Sequence, residues 1–274
     1  MTYSFTDEIR AFLQEKKYLQ NVSSETIILY ETSFKGFRDC DTLEQIKVRV
    51  VALRERGLKP VTVNTYLRHM KTFFRWKGLE WKMPWLKEEQ KILITFTPEQ
   101  VTRIINGKPV GRNETRARMV ALTALDTGMR IQEILNLRRS DVDFDNLLFR
   151  VNGKGDKQRL VPMSIELRKL LFRYLGQHKS DRVVCTSGGT SPTQRNLSRD
   201  FKLLCSRLGI TGVRASFHTL RHSFAVNYLK SGGNVIYLQR ILGHASLEMT
   251  NRYTKSLGIE DLQKVHDGLS FLSR

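Results

Sequence analysis

Residues 217–244 run FHTLRHSFAVNYLKSGGNVIYLQRILGH. They read as two helices, at about 217–230 and 234–242, parted by Gly232-Gly233, a pair whose access to left-handed backbone suits a helix C-cap. His218 and Arg221 stand three apart, so both face one side of the first helix; His222 lies four on from His218, and Gly243-His244 closes the second. The segment is helical and rich in imidazole and guanidinium chemistry, which points to a helical scaffold around a polar site.

The same texture extends in both directions. Upstream, helices are expected at about 115–126, ending at Gly128, at 130–138, 165–175 and 193–208, the last closed by Gly209. Leu147–Val151 and Gln158–Val161 flank Asn152-Gly153-Lys154-Gly155-Asp156, whose glycines fit the tight turn of a hairpin. Thr97-Pro98-Glu99-Gln100 supplies an N-cap, a proline at the first helical position and a Gln three residues after the cap, the start of a new domain. The first ~80 residues carry four apolar stripes at three- and four-residue spacing, in helices at 4–18, 24–38, 42–55 and 61–76. Lys82-Met83-Pro84-Trp85 through Lys91 breaks that period. The expected organisation is an N-terminal four-helix domain over 1–82, a linker over 83–95 and a second domain over 96–274, mainly α with a small antiparallel sheet.

Across 274 residues, 46 Lys+Arg face 27 Asp+Glu, a formal charge of +19. The excess is +4 in residues 1–90 and +15 in the remainder, a balance that calls for a polyanion and binding weakened by salt. Duplex DNA fits, and composition alone fits a ribosome-associated or RNA-binding protein equally. An anionic membrane surface fits less well, since no Lys/Arg-rich amphipathic helix stands out. The opening MTYSFTDEIR has no apolar signal region, and no run nears the ~18 apolar residues of a membrane span. Cys40, Cys185 and Cys205 have no C-x-x-C spacing, against a disulfide framework or a cysteine zinc site. A soluble, cytoplasmic, nucleoid-associated protein is expected.

Three clusters carry the chemistry: Thr127-Gly128-Met129-Arg130-Ile131-Gln132-Glu133, His218-Thr219-Leu220-Arg221-His222, and Leu242-Gly243-His244 followed nine residues later by Tyr253. Each is ordinary alone. Together, in this order and with Gly153-Lys154-Gly155 between the first two, they resemble the tyrosine recombinase (phage integrase) family over residues 97–260, and the N-terminal helices resemble its SAM-like core-binding domain. The resemblance implies a site-specific recombinase that cuts and rejoins duplex DNA for integration, excision or resolution, through a 3′-phosphotyrosine on Tyr253. Such a reaction needs no metal, ATP or other cofactor. It further implies base duty for His218, and for His244 a hydrogen bond to the scissile phosphate.

The residue types suit these roles. A phenol with pKa about 10 is a poor nucleophile at neutral pH and needs a base or a positive field. Arg130 and Arg221 can grip nonbridging phosphate oxygens bidentately, and Lys154 on a flexible stem can protonate the departing 5′ oxygen. Glu133 either orients these cations or is a surface carboxylate opposite Arg130. His222 reads as structural, and Tyr228 and Tyr237 as packing residues within helices. Groove contacts are expected from Lys59, Asn64, Arg68, Lys71 and Arg75 in the first domain and Arg195 and Arg199 in the second, although solvated basic faces look the same.

Two competing readings take the same residues differently. His218, His222 and His244 form a three-histidine metal site in one, but the Glu of a His-Glu-x-x-His hydrolase is missing. The other is a noncatalytic DNA-binding regulator. A type IB topoisomerase shares the nucleophile chemistry without pairing sites. The apolar residues Leu262, Val265, Leu269 and Leu272 mark a tail helix at about 259–272, which by resemblance docks on a neighbouring protomer and builds a homotetramer or paired dimers on DNA, with accessory DNA-bending proteins as further partners. Lys255 stands where many members have His. The motifs do not distinguish integrase, transposon recombinase, dimer resolvase or integron-type recombinase.

Overall fold

The computed structural model describes residues 5–89, 93–153 and 158–269. The chain divides into two compact units, Met1–Lys91 and Ile92–Arg274. In the first, α1 (Phe5–Gln14) runs on into a wider π-helical turn at Glu15–Leu19, followed by α2 (Ser24–Gly36), α3 (Leu43–Glu55) and α4 (Pro60–Trp76). Each start has a local cause: the Ser23 hydroxyl accepts the Thr26 N–H, Thr42 and Gln45 form a reciprocal capping box, and Pro60 fills the first helical turn where no donor is needed. The apolar stripes meet around Phe12, which is fully buried with its ring edge-on to Tyr30, Phe34, Phe73 and Trp76.

The segment read as the start of a linker belongs to this core. Trp81, Met83 and Leu86 pack against it. Asn64, expected to reach a DNA groove, instead holds this segment down. Its amide N–H donates to the Leu86 carbonyl (2.8 Å) and to Glu88 Oε1 (2.7 Å), its oxygen accepts the Leu86 N–H (2.9 Å), and the residue is buried. Pro84 ends helical periodicity without ending packing. Two more of the expected contacts on that α4 face are engaged: Arg68 pairs with Glu88 at 3.7 Å, and Arg68 and Lys71 both lie over the Trp85 ring. Lys59 and Arg75 are exposed.

The second unit begins with α5 (Pro98–Asn106), opened by the capping box read at Thr97 and Gln100. Then come α6 (Gly111–Thr127), α7 (Ile131–Asn136), a three-stranded antiparallel sheet of β1 (Val142–Asp143), β2 (Leu148–Asn152) and β3 (Gln158–Pro162), α8 (Ile165–Leu175), α9 (Gln194–Arg207), α10 (Phe217–Lys230), α11 (Val235–Leu242), α12 (Leu247–Asn251) and α13 (Ile259–Leu269). α6 is buried from Met119 to Ala124 and packs against α7, α8, α9 and α10, its apolar run Met119–Leu125 covering every face of that stretch save Thr123. It starts four residues before the expected point. α7 is shorter than expected, because Leu137 leaves the helix and Arg139–Asp141 forms a 3₁₀ turn. α12 and β1, each only a few residues long, give no periodic signal. Tyr228 packs beside the Ala225–Leu242 cluster as expected, whereas Tyr237 is exposed on α11 and is not a packing residue.

In the sheet, Phe149 pairs with Val161 and Val151 with Arg159. The two-residue alternation of β3 puts Arg159 on the same face as buried Val161, so a guanidinium is delivered to the inward side. α6 is stopped by Gly128 at φ +65°, and a side chain there would bring Cβ within 2.4 Å of Phe224 and 2.7 Å of Leu242. Gly128→Ala must therefore take on left-handed strain and a clash together. We expect it to cost about 2–4 kcal/mol, seen as a thermal midpoint lower by roughly 5–10 °C.

Candidate active site

One carboxylate organises the polar centre of the second unit. Glu133, on the first turn of α7, accepts from the Arg130 backbone N–H (2.7 Å) and from Arg130 Nη1 (3.0 Å). It receives Arg159 bidentately, Nη1 to Oε1 at 3.0 Å and Nη2 to Oε2 at 2.8 Å, and lies 4.0 Å from Arg221 Nη1. Its side chain is 9% exposed. Burial pushes the Glu133 carboxyl up, yet the hydrogen bonds from Arg159 and the Arg130 N–H and the charges of both arginines bring it below the ordinary glutamate range.

The guanidiniums find their remaining acceptors at helix ends. α11 closes with Gly243 at φ +63°, the Gly243 N–H reaching the Arg240 carbonyl and the His244 N–H the Gln239 carbonyl, a Schellman closure. The next two carbonyls are left for cations. Ile241 O accepts Arg159 Nε (2.9 Å), and Leu242 O accepts both Arg221 Nη2 (2.8 Å) and Arg130 Nη1 (3.4 Å). Gly128 O, at the end of α6, takes Arg221 Nη1 at 2.7 Å. These partial negative charges suit guanidiniums. Arg221 is buried, and burial followed by the charge of Arg130 lowers its pKa to about 10, so it stays cationic at neutral pH. Three guanidiniums against one carboxylate leave two positive charges, one more than the single negative charge of a phosphodiester.

Beside this cluster lies Tyr253, 1% exposed and packed among Ala225, Val226, Leu229, Leu238 and Leu242. Its hydroxyl is 3.0 Å from His222 Nδ1. The His244 ring stacks on it at 6.2 Å and 15°, and the Arg252 guanidinium sits 5.8 Å from its centroid. Burial raises the Tyr253 pKa, opposed by Arg221 and Arg252. His244 Nδ1 is 2.8 Å from the hydroxyl of fully buried Thr250. A buried hydroxyl proton needs an acceptor, so Nδ1 accepts it and Nε2 carries the imidazole proton. Burial and then Arg221 and Arg130 lower the His244 pKa to about 4. His222 is likewise lowered to about 4, by burial and then Arg252, and His218 is lowered by burial and then Arg221.

The expected residues Arg130, Glu133, Arg221, His244 and Tyr253 are thus gathered in one place by α6, α7, α10, α11 and the segment after α12. His218 is exposed on the first turn of α10 and makes no hydrogen bond to Tyr253 among the described residues. Lys154 lies outside the described residues, between β2 and β3 in the sequence. Among the described residues no group of three His, Cys, Asp or Glu side chains is placed to hold a metal; His222 and His244 turn their Nδ1 atoms to Tyr253 and Thr250 instead. Arg195 and Arg199 are exposed on α9, with Arg199 paired to its neighbour Asp200.

Residues 95–258 match the phage integrase family. The chain belongs to that family. This integrase-family chain is 30% identical over 265 residues to the tyrosine recombinase XerA of Thermococcus kodakarensis, covering 93% of each. It is also 30% identical over 247 residues to XerC of Chromobacterium violaceum, covering 85% of this chain and 82% of that one. Among solved structures, the fold is that of the Tn1549 transposon integrase in complex with circular intermediate DNA (TM-score 0.78, 20% identity, 96% and 99% coverage). It is also that of a λ integrase dimer bound to a core site (TM-score 0.73, 16% identity, 94% and 97% coverage). The chain is an enzyme of the integrase/recombinase type, and no helix among the described residues is long and apolar enough to cross a membrane.

Two residues escaped the sequence reading. Arg159 had a signal, since the alternation that buries Val161 also turns 159 inward, although an arginine in an otherwise apolar strand face reads as a solvated edge. His222 reads as structural in the sequence, and the Tyr253 hydroxyl it meets lies 31 residues away. Replacing Glu133 by Gln leaves half-buried Arg159 and buried Arg221 without their carboxylate; we expect about 3–5 kcal/mol of destabilisation in chemical denaturation, partly recovered by adding Arg159→Met. The neutral histidines set a pH dependence. With folded pKa values of about 4 for His222 and His244 against about 6.5 unfolded, the unfolded chain binds more protons in that interval. Stability is then complete above about pH 6.5 and falls as pH drops toward 4. A thermal-midpoint profile between pH 7 and 4.5 checks this, and His222→Asn should flatten it.

Proposed function

We propose that this chain is a site-specific DNA recombinase in which Tyr253 attacks a backbone phosphate held by Arg130, Arg221 and His244, with His218 as the base. The Tyr253 oxygen bonds to phosphorus, the bond to the 5′ oxygen breaks, and a 3′-phosphotyrosine and a free 5′ hydroxyl result. The ester keeps the energy of the broken bond, so attack by another 5′ hydroxyl rejoins the strand without ATP. Lys154 is proposed as the acid for the departing oxygen. The observation that carries the reading is a buried tyrosine hydroxyl bonded to a histidine beside a cluster with two surplus positive charges. Guanidiniums preorganised on helix-end carbonyls meet the charge developing on the nonbridging oxygens without rearranging. In phosphoryl transfer a comparable arginine is worth on the order of 10³–10⁵ in rate.

Duplex DNA is the proposed partner, met by the exposed basic residues Lys59, Arg75, Arg195 and Arg199, in a cytoplasmic, nucleoid-associated setting with DNA-bending proteins as accessory partners. Assembly as a homotetramer or paired dimers through α13 is supported by its surface. Ile259 and Leu262 are exposed, although Asp261 pairs with Lys230 of α10 at 3.0 Å. Lys230 also borders a largely apolar cavity of about 570 Å³ lined by Val101, Leu122, Leu125, Leu167 and Phe224, a seat for the tail of a neighbour. Val265, Leu269 and Leu272 of the expected stripe lie outside the described side chains.

The test is to incubate the protein in EDTA with nicked duplexes of randomised sequence and recover DNA that stays attached through SDS. We expect protein-linked DNA, abolished by Tyr253→Phe while DNA binding persists. Attachment that requires added zinc or magnesium, or that survives Tyr253→Phe, would overturn the reading.

A further inference from the structure

We infer that Arg159 is a positioning residue for strand cleavage: its guanidinium locks the Glu133 carboxylate so that Arg130 is held by one side-chain nitrogen and keeps its outer edge for the phosphate. The inference rests on the reading of Arg130 as a phosphate ligand, and it gives a role to a residue outside the motifs read from the sequence.

Arg159 turns every nitrogen toward the protein. Nε donates to the Ile241 carbonyl at 2.9 Å, Nη1 to Glu133 Oε1 at 3.0 Å and Nη2 to Glu133 Oε2 at 2.8 Å, and the side chain is 15% exposed. Arg130 is the opposite case. Its Nη1 is shared between Glu133 Oε1 and the Leu242 carbonyl, its Nε and Nη2 make no hydrogen bond among the described residues, and its side chain is 38% exposed. One arginine is closed on the carboxylate, and the other is left half open beside it.

The carboxylate decides which is which. Glu133 Oε1 receives Nη1 of both arginines at 3.0 Å, while Oε2 receives Arg159 Nη2 at 2.8 Å and the Arg130 backbone N–H at 2.7 Å. A carboxylate gripped by a guanidinium fork cannot turn, since two parallel bonds fix its plane. Without Arg159 that plane is released, and the nearest remaining cation is Arg130, at 3.0 Å against 4.0 Å for Arg221. Glu133 then pairs with Arg130 through both oxygens, and the edge that the phosphate requires is taken by an internal ion pair. Lysine in place of Arg159 keeps the charge but not the fork, because an ammonium is a point donor. The Nε bond adds a second restraint. It ties β3 to the last turn of α11, whose closure is completed by the His244 N–H. Arg130 and His244 are therefore set by one side chain whose own nitrogens are all engaged within the protein.

The test measures adduct formation on a nicked duplex recovered from the randomised pool, made once with an ordinary scissile phosphodiester and once with a methylphosphonate, in which a methyl group replaces a nonbridging oxygen and removes the negative charge. On the phosphodiester we expect Arg159→Met and Arg159→Lys to slow adduct formation on the order of 10²-fold with unchanged DNA affinity, the scale of a misplaced reacting group. On the methylphosphonate, where no charge has to be met, the loss should shrink to roughly threefold or less. A purely structural role would slow both substrates alike. Arg159→Met added to Arg130→Ala should slow the reaction no further, because the residue through which it acts is gone. Equal loss on the two substrates, losses that multiply in the double variant, or Arg159→Lys as fast as the parent overturns the inference; so does failure of both variants to fold, which would make Arg159 a stability residue. Adduct that survives Tyr253→Phe overturns the recombinase reading instead. A crystal structure of Arg159→Met checks the inference without DNA: Glu133 should be turned to Arg130 with two hydrogen bonds from its guanidinium, and a carboxylate unmoved from its place in the parent contradicts it.

Discussion

The second unit depends on Glu133 being the carboxylate that three guanidiniums share. Arg130, Arg159 and Arg221 come from a loop, a strand and a helix, and two of them are largely withdrawn from water. Cations brought together out of water repel one another and lose hydration. With Glu133 at the centre and the last carbonyls of α11 and α6 at the periphery, every one of the three has a fixed acceptor. The same arrangement keeps two positive charges in surplus, which a bound phosphodiester would offset in part.

The backbone geometry around this centre follows from it. Gly128 and Gly243 each end a helix in left-handed backbone, and each sits where a side chain would strike the packing. At Gly243 an added Cβ would stand 3.0 Å from the Arg159 guanidinium. The two turns therefore aim carbonyls at cations, and the strained backbone is affordable only to glycine. The Schellman closure of α11 also sets His244, whose N–H completes it, beside the ring of Tyr253.

Around Tyr253 the logic is reversed: the histidines are kept uncharged. Burial and the surrounding arginines hold His222 and His244 near pKa 4, and the hydroxyls of Tyr253 and Thr250 assign their tautomers. A site with surplus positive charge thus contains neutral imidazoles, one turned to the phenol and one to the Thr250 hydroxyl. The positive field supplied by the arginines opposes the burial that raises the tyrosine pKa.

Much of this was legible in the chain. Apolar residues at three- and four-residue spacing gave the helices because one stripe per helix must be buried, and capping residues at Thr97 and Gly128 marked the ends. The clustered motifs, by their resemblance to the tyrosine recombinase family, singled out Arg130, Lys154, His218, Arg221, His244 and Tyr253 with Glu133 in support, while local spacing added only that Arg130 and Glu133, and His218 and Arg221, stand three apart. What periodicity could not carry was any relation across long separations. Residues 81–88 pack onto α4 although Pro84 breaks the pattern, and Asn64, polar and on a basic face, is buried by that packing. Arg159 meets Glu133 across 26 residues, and His222 meets Tyr253 across 31. By itself, then, the sequence determined the helices, the hairpin, the charge and the residue types of the site; which carboxylate neutralises which arginine, and which histidine touches the tyrosine, was decided only by tertiary structure, since burial alone makes those pairings obligatory.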